Sequence, residues 1–379
     1  MINNVKNTQK KIFAETNLNN DKAPQYYDMI VFCHLRWQFV YQRPQHIISR
    51  LSSTMKILFI EEPLHQHTKE NSGNLIKVSE MLHVLQPNVD NIESIAGILP
   101  EYIKNKSIPV GWFYSASFSP LLEQLNFETV VYDCMDELSL FKGAPAHLIN
   151  QEKYLMAHAD VIFTGGKSLY ESKKQLHANV HCFPSSVDQT HFAQALNGIT
   201  VPNDVINLQS PVVGYYGVID ERIDLELLHE TAKRLPNVSF VMIGPLAKIE
   251  ESDLPKESNI HYLGMRSYDE LPNYLKAFDV AMMPFALNDA TKYISPTKTL
   301  EYMAAGKPII STKIIDVVRD YSRCVSLIET ADEFCEAITF LFDKTDRQSL
   351  ELEYYKILQK TSWDATADKM KSIIKTFAK

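Results

Sequence analysis

Short β-branched and aromatic runs alternate with amphipathic stretches twice along this chain, and that double alternation is what most restricts its fold. The first series reads DMIVFCH, MKILFIEEP, PVGWFY, TVVYDCMD, ADVIFTGG and NVHCFPSS; the second reads PVVGYYGVID, VSFVMIGP, NIHYLG, FDVAMMPF, KPIIST and CVSLIE. Helical segments such as LELLHETAKRLP lie between them. Strands apolar on both faces and separated by helices belong in parallel sheets covered by helices. Two such series in 379 residues predict an α/β protein of two doubly wound, Rossmann-like domains facing one cleft. The Asn- and Lys-rich residues 1–24 read as a disordered extension, residues 25–195 as a first domain, and residues 196–355 as a second, with a polar linker around 197–210. Residues 356–379 form a helical tail.

Composition narrows the function classes. The chain is 45% hydrophobic and 22% charged with a net charge of −8, which gives no electrostatic reason to expect nucleic acid. No apolar run approaches the length of a membrane span and no signal-peptide core opens the chain, so a cytoplasmic location is expected. Residues 1–190 are the less acidic half, which permits peripheral contact with an anionic membrane surface through the first domain. The five cysteines are scattered without metal-ligand spacing and read as reduced thiols.

The segment ISPTKTLEYMAAGKPIIST, residues 294–312, carries the strongest chemical signal. Ser295 suits a helix N-cap, Pro296 the first turn, and Gly306 and Pro308 the exit, so a helix is expected from about Pro296 to Ala305. A helix opening on Ser295, Pro296, Thr297 and Lys298 offers free N–H groups, hydroxyls, an ammonium and a positive dipole end to a phosphate or diphosphate. Glu301, one turn beyond Thr297, is an acceptor suited to a diol such as ribose. The bland alternative is a well-capped helix with solvated charges.

In this order the segments resemble a GT-B glycosyltransferase of the large retaining family called glycosyltransferase family 4, in particular bacterial surface-polysaccharide transferases of the teichuronic-acid type. The resemblance runs from about Tyr27 to the C-terminus and rests on VVGYYGVIDERIDLELL, FVMIGP, NIHYLGMRSYDELPNYLKAFDVAMMPF and SPTKTLEYMAAGKPIIST. HCFPSSVDQTHF resembles the family's domain-crossing segment, and TSWDATADKM the final helix that returns to the first domain.

The resemblance implies that the second domain binds a nucleotide-diphosphate sugar. Gly217 would let backbone approach the donor and Arg222 would clamp the diphosphate, unless it pairs with Asp220 or Asp224. Gly244 and Pro245 end the next strand, and Gly264, Met265 and Arg266 stand where such enzymes hold the nucleobase. In one respect the chain departs from the pattern: Tyr293 occupies the place of the family's first Glu, eight residues before Glu301. Asn288 and Asp289 are the nearby candidates to replace it.

The first domain would carry the acceptor, a glycan or lipid-linked glycan. His34, Arg36, Trp37 and Arg43 follow its first strand, as cationic and aromatic groups able to hold a sugar or an anionic substituent; the alternative is that Trp37 is core and the arginines form ion pairs. Asp133 and Asp136, with Glu137, end TVVYD and could deprotonate or orient the acceptor hydroxyl, bind a cation, or cap a helix. Gly165 and Gly166 end another strand, where backbone could approach substrate or a turn could require positive φ. The expected reaction is retaining hexosyl transfer without metal or cofactor, the diphosphate stabilised by Arg222, Lys298 and the helix at Ser295. Two other readings stay open: an epimerase or phosphorylase on the same fold, and a non-catalytic nucleotide-sugar or glycan-binding protein.

Overall fold

A computed structural model describes residues 23–63, 71–344 and 346–377. The extension expected over residues 1–24 falls, except for its last two residues, outside them.

The first sheet has eight strands: β1 Met29–Cys33, β2 Ile57–Glu61, β3 Ser72–Ser79, β4 Leu82–Asn88, β5 Ile108–Phe113, β6 Phe127–Cys134, β7 Val161–Thr164 and β8 Val180–Cys182. Their order is β3-β4-β2-β1-β5-β6-β7-β8, parallel except for the antiparallel β3–β4 pair. The second sheet has six: β9 Val212–Tyr216, β10 Ser239–Ile243, β11 Ile260–Gly264, β12 Val280–Met283, β13 Ile309–Thr312 and β14 Ser326–Ile328. Its order is β11-β10-β9-β12-β13-β14, and every pairing is parallel. All six expected strands of the second series are present. The first series gains the β3–β4 hairpin, which alternation of strands with helices could not reveal because no helix separates the two strands.

Apart from the β3–β4 hairpin at one edge, both sheets reverse strand order once, at β1/β5 and at β9/β12. Open α/β sheets form their crevices at such switch points, beyond the carboxyl ends of the strands. The loops after β1, β5, β9 and β12 are therefore the ones placed to bind, with the loop after β6 beside that after β5. Each sheet is buried between apolar layers; Ile30, Phe32 and Tyr132 face one layer of the first sheet, and Val31, Trp112 and Phe163 the other.

The chain crosses between the domains twice. After β8 it reaches Val187, Phe192 and Ala195, which already belong to the second core. The first crossing thus precedes the division expected at 195/196, because the apolar side of Gln189–Leu196 packs on the second domain. The return lies between Leu358, in the second core, and Trp363, in the first, rather than at 355/356. Helix Trp363–Lys375 buries Trp363, Ala367, Met370 and Ile374 in the first domain, and Trp363 stacks on His46 with centroids 4.7 Å apart.

The domains also meet directly. Asp316, on helix Ile315–Tyr321, accepts the backbone N–H groups of Lys167 (2.8 Å) and Ser168 (3.1 Å), capping helix Lys167–Lys173 of the other domain. The Ser185 hydroxyl donates to the Ser295 carbonyl. No helix among the described residues is long and apolar enough to cross a membrane.

Candidate active site

The second domain's wall is built from backbone. Gly217, Gly244 and Gly264, at the ends of three adjacent strands, have φ of 139°, 147° and 71°, values that disfavour side chains. They are linked in series: Gly217 N–H donates to the Ile243 carbonyl at 2.8 Å, and Gly244 N–H to the Gly264 carbonyl at 2.9 Å. A Cβ on Gly244 would lie 1.8 Å from the Gly217 carbonyl oxygen, so contact between these two strand ends excludes any side chain. A Cβ on Gly217 would lie 2.3 Å from Lys298 Cε and 2.7 Å from its Nζ. The glycines thus make a side-chain-free floor with the Lys298 ammonium laid across it.

Lys298 comes from helix Thr297–Ala304, which begins one residue later than expected. Its N-cap is Pro296 rather than Ser295, without a side-chain capping bond, because the Ser295 backbone is held by Ser185 across the domain boundary. The first N–H groups of this helix lack intrahelical partners and point toward the cleft end of the sheet. Burial lowers the Lys298 pKa and Arg222 lowers it further, while Glu301, Asp220 and Asp136 oppose the shift, so these charges share one neighbourhood. The ammonium also lies 5.5 Å from the Tyr215 ring centroid.

Arg222 takes the pairing that its sequence neighbours offered. Its Nε and Nη2 bind both oxygens of buried Asp220 at 2.7–3.1 Å, and its guanidinium lies 5.5 Å from the Phe141 ring centroid in the first domain. Pairing fixes the fork without removing it: Nη1 has no hydrogen bond among the described residues. Glu301 is buried and accepts the Tyr216 phenol at 2.6 Å; burial raises its pKa, and Tyr216, Lys298 and Thr297 hold it down. Tyr216 and Asp220 were not among the candidates, although both flank Gly217 in sequence. Pro245 accepts from Ile219 N–H at 3.0 Å, Met265 is exposed at the lip, and Arg266 turns away to Asp204 (2.8 Å) and the Tyr274 hydroxyl. That leaves Gly264 and the neighbouring backbone, rather than the Arg266 side chain, at the cleft end of this strand.

On the opposite wall most expected acceptor residues are already engaged. Arg43 binds Asp133 through Nε and Nη2 (2.9–3.2 Å) and the Phe183 carbonyl through Nη1 (2.7 Å), with both side chains buried. Asp133, fully enclosed and holding this guanidinium, has no open path to an acceptor hydroxyl. Burial alone disfavours the Arg43 charge, but the Asp133 carboxylate keeps it protonated. Arg36 binds buried Glu61 at 3.1 Å and the Glu62 and Pro63 carbonyls. Trp37 packs edge-on against Phe59 at 5.0 Å, as core. Glu137 and Glu152 share the Lys173 ammonium at 2.7 Å each.

Neither Gly165 nor Gly166 has positive φ or meets a substrate space. A Cβ on Gly165 would lie 2.6 Å from the Met135 carbonyl oxygen; one on Gly166 would lie 2.7 Å from Asp316 Oδ2 and 3.0 Å from Ser295 Cβ. Both permit close packing, Gly166 between the domains.

His34 and Asp136 are the two candidates on this wall that remain free. His34 Nδ1 is buried without a partner among the described residues, and burial, then Lys248 of the other domain, push the imidazole down to about 4. Asp136 has neither hydrogen bond nor ion pair through its carboxylate among the described residues. Burial pushes it up to about 6, against the pull of Arg222, Arg43 and Lys298. A neutral imidazole and a titratable carboxylate thus face Lys248, Arg222 and Lys298 across the cleft.

Tyr293 packs against the first domain's core, so the position of the family's first Glu has become a domain contact. The suggested replacements do not converge on the glycine floor: Asn288 caps the turn at Thr291 and donates to the Glu221 carbonyl, and Asp289 is exposed. Among the described residues no group of three or more His, Cys, Asp or Glu side chains is arranged to hold a metal ion.

Residues 210–344, which contain the glycine floor, Lys298 and Glu301, match the family model described as glycosyl transferases group 1. A curated relative from Bacillus subtilis (strain 168), by its description a teichuronic acid biosynthesis glycosyltransferase, TuaH, is 25% identical over 221 residues, covering 54% of this chain and 55% of that protein. The chain thus spans about half the length of that relative. Sucrose-phosphate synthase from Thermosynechococcus elongatus superposes with a TM-score of 0.66 at 13% identity, over 93% of this chain and 98% of the other. HepE of Anabaena, solved with UDP and glucose, gives 0.65 at 14% identity over 92% and 100%. An E. coli trehalose-6-phosphate protein bound with UDP-2-fluoro glucose gives 0.64 at 11% over 92% and 98%. The fold is therefore GT-B, and its second domain is the part that matches the group 1 glycosyl transferase model.

Proposed function

We propose that this protein transfers a sugar from a nucleotide-diphosphate sugar to a hydroxyl of a glycan or lipid-linked glycan in bacterial surface-polysaccharide synthesis, with retention at the anomeric carbon. The observation that carries the reading is the glycine floor under Lys298, set opposite His34 and Asp136, whose Nδ1 and carboxylate have no partner among the described residues. A floor without side chains admits a diphosphate against backbone, and Lys298, Arg222 and the first turn of helix Thr297–Ala304 supply positive charge where the departing diphosphate gains negative charge. Glu301, fixed by Tyr216, accepts the ribose hydroxyls. This arrangement stabilises the leaving group without needing a metal.

The acceptor hydroxyl approaches from the first domain. Asp136, ionised above pH about 6, accepts its hydrogen bond, and neutral His34 offers a second polar contact. Retention follows if attack occurs on the face of the departing phosphate, whose oxygen takes the hydroxyl proton. The Asp316 and Ser185 contacts hold the two domains together, and closure of the cleft between them would exclude water from this step. Tyr293 favours a second reading, a non-catalytic nucleotide-sugar-binding protein, because it removes one acidic group from the family pattern.

The deciding experiment incubates the protein with UDP-, GDP- and ADP-linked sugars and lipid-linked saccharide acceptors, reading product mass and anomeric configuration. Transfer in the wild type, lost in Lys298→Ala, supports the proposal. Tight nucleoside-diphosphate binding without transfer in a single turnover selects the binding reading, and conversion of donor without acceptor selects an epimerase.

A further inference from the structure

A cavity of about 920 Å³ opens on another part of the molecule, and none of the donor-floor residues lines it. Its walls come from both crossings: Phe183–Ser186 on one side and Lys360–Ser362 on the other, with the end of helix Ile315–Tyr321 between them. Six cationic side chains line it against two carboxylates, in a chain whose net charge is −8. Both carboxylates are already neutralised, Asp320 by Lys167 and Glu353 by Lys356. Arg319 is likewise paired, with Glu171 at 2.9 Å.

Three cations are left over. Arg323, Lys360 and Lys369 are exposed and have no ion pair among the described residues. Their placement follows from helix periodicity. Glu353, Lys356, Ile357 and Lys360 repeat at three- and four-residue spacing along one face of helix Arg347–Leu358 and its continuation. Ala365, Thr366 and Lys369 form the matching face on the first turns of helix Trp363–Lys375, whose positive end opens here. The acidic residue of that first turn, Asp364, points elsewhere and pairs with Arg50. Ser186, 2% exposed, lines the same cavity with a buried hydroxyl oxygen that has no partner among the described residues. Like charges gathered in a concave polar site raise the local potential, and an anion bearing several oxygens relieves their repulsion while satisfying such a hydroxyl.

We propose that this groove is a second anion site, separate from the nucleotide cleft, that binds a phosphate ester through Arg323, Lys360 and Lys369 with the hydroxyls of Ser186 and Thr366 beside it. Its volume suits a ligand of sugar-phosphate or nucleotide size.

Calorimetric titration with inorganic pyrophosphate at low salt tests the proposal in the full chain. Wild type is expected to bind at two sites, Lys298→Ala to retain the groove site, and Arg323→Ala/Lys360→Ala/Lys369→Ala to lose at least tenfold in affinity at that site while keeping the cleft site. The three positions are exposed, so an unchanged melting curve checks that the triple variant is folded. Equal pyrophosphate binding in wild type and the triple variant overturns the groove, as does a single site abolished by Lys298→Ala. A loss in the triple variant with Lys298→Ala unaffected supports the groove and counts against the cleft reading instead. Repeating the comparison with phosphatidylglycerol and phosphatidylcholine vesicles assigns the source: anionic-vesicle binding lost in the triple variant identifies a lipid headgroup, and binding of free pyrophosphate without vesicle binding identifies a soluble phosphate ester.

Discussion

Arg36, Arg43, Asp133 and Glu137 of the first domain are all closed into ion pairs below or beside the strand ends, whereas Lys298 and Arg222 of the second keep donors turned to the cleft. Residue types alone do not separate the two walls, since both end their strands in a mixture of acids and bases. What separates them is how much of each charge is already bound: Arg36 uses both terminal nitrogens, whereas Arg222 Nη1 and the Lys298 ammonium have no hydrogen bond among the described residues. A charge enclosed with its partner holds the domain together, and a charge laid over glycines at a strand end is available to a ligand.

The largest expected effect breaks the closed wall. Arg43→Ala leaves Asp133 ionised, enclosed and without its three guanidinium bonds. Removing one member of such a pair costs about 3–5 kcal/mol, readable as a fall in urea midpoint. Arg43→Met/Asp133→Leu should recover most of it, because the pair is then gone from both sides. A small loss in the single variant would mean that Arg43 is a ligand-facing cation after all.

Asp136 tests the exception on that wall. Its folded pKa of about 6 lies above the ordinary value of 3.8, so the folded state binds this proton more tightly than the unfolded chain does. The corresponding stability is fully present below pH about 4 and lost as pH rises through about 6. At pH 8 the ionised group therefore costs roughly 2–3 kcal/mol. Asp136→Asn should be more stable than wild type by about that much at pH 8 and no more stable at pH 4, while transfer falls by about 10²-fold. Wild-type transfer itself should decline as pH drops through about 6. Unchanged activity in the variant removes Asp136 from the reaction and leaves a structural carboxylate.

These contrasts also show where sequence is legible. The second domain could be laid out strand by strand because each functional position, Gly217, Gly244, Gly264 and Lys298, sits at a fixed offset from an apolar run. The first-domain pairs could not, because their partners are remote: Arg36 meets Glu61, and Arg43 meets Asp133, 90 residues away. A cation after a strand looks the same in sequence whether a distant strand brings it a carboxylate or not. Gly166 was opaque for the same reason, since the atoms that would meet its Cβ belong to Asp316 and Ser295 of the other domain. Arg222 is the intermediate case: Asp220 is two residues away and was foreseeable as a partner, but only the fold shows that pairing leaves Nη1 free.

On the open wall, Lys298→Ala should weaken nucleoside diphosphate binding by about 1–3 kcal/mol, the scale of a charged hydrogen bond. Gly217→Ala should reproduce that loss although it removes no charge, because the added Cβ falls 2.3 Å from Lys298 Cε and displaces the ammonium from the floor. Calorimetry with UDP, GDP and ADP reads both variants. Normal affinity in Gly217→Ala would show that the position of the ammonium over the glycine is incidental.

The smallest effect is expected at Arg266, which lies beside the base-binding loop yet is tied to Asp204 and Tyr274 at the surface. An exposed pair of this kind contributes about 0–1 kcal/mol to stability. If Gly264 and its neighbours meet the base through backbone, Arg266→Ala should leave nucleotide affinity and base preference within twofold of wild type. A change in preference among UDP, GDP and ADP would instead place the Arg266 side chain in the cleft, and the open wall would then depend on a side chain at a strand end where the structure offers backbone.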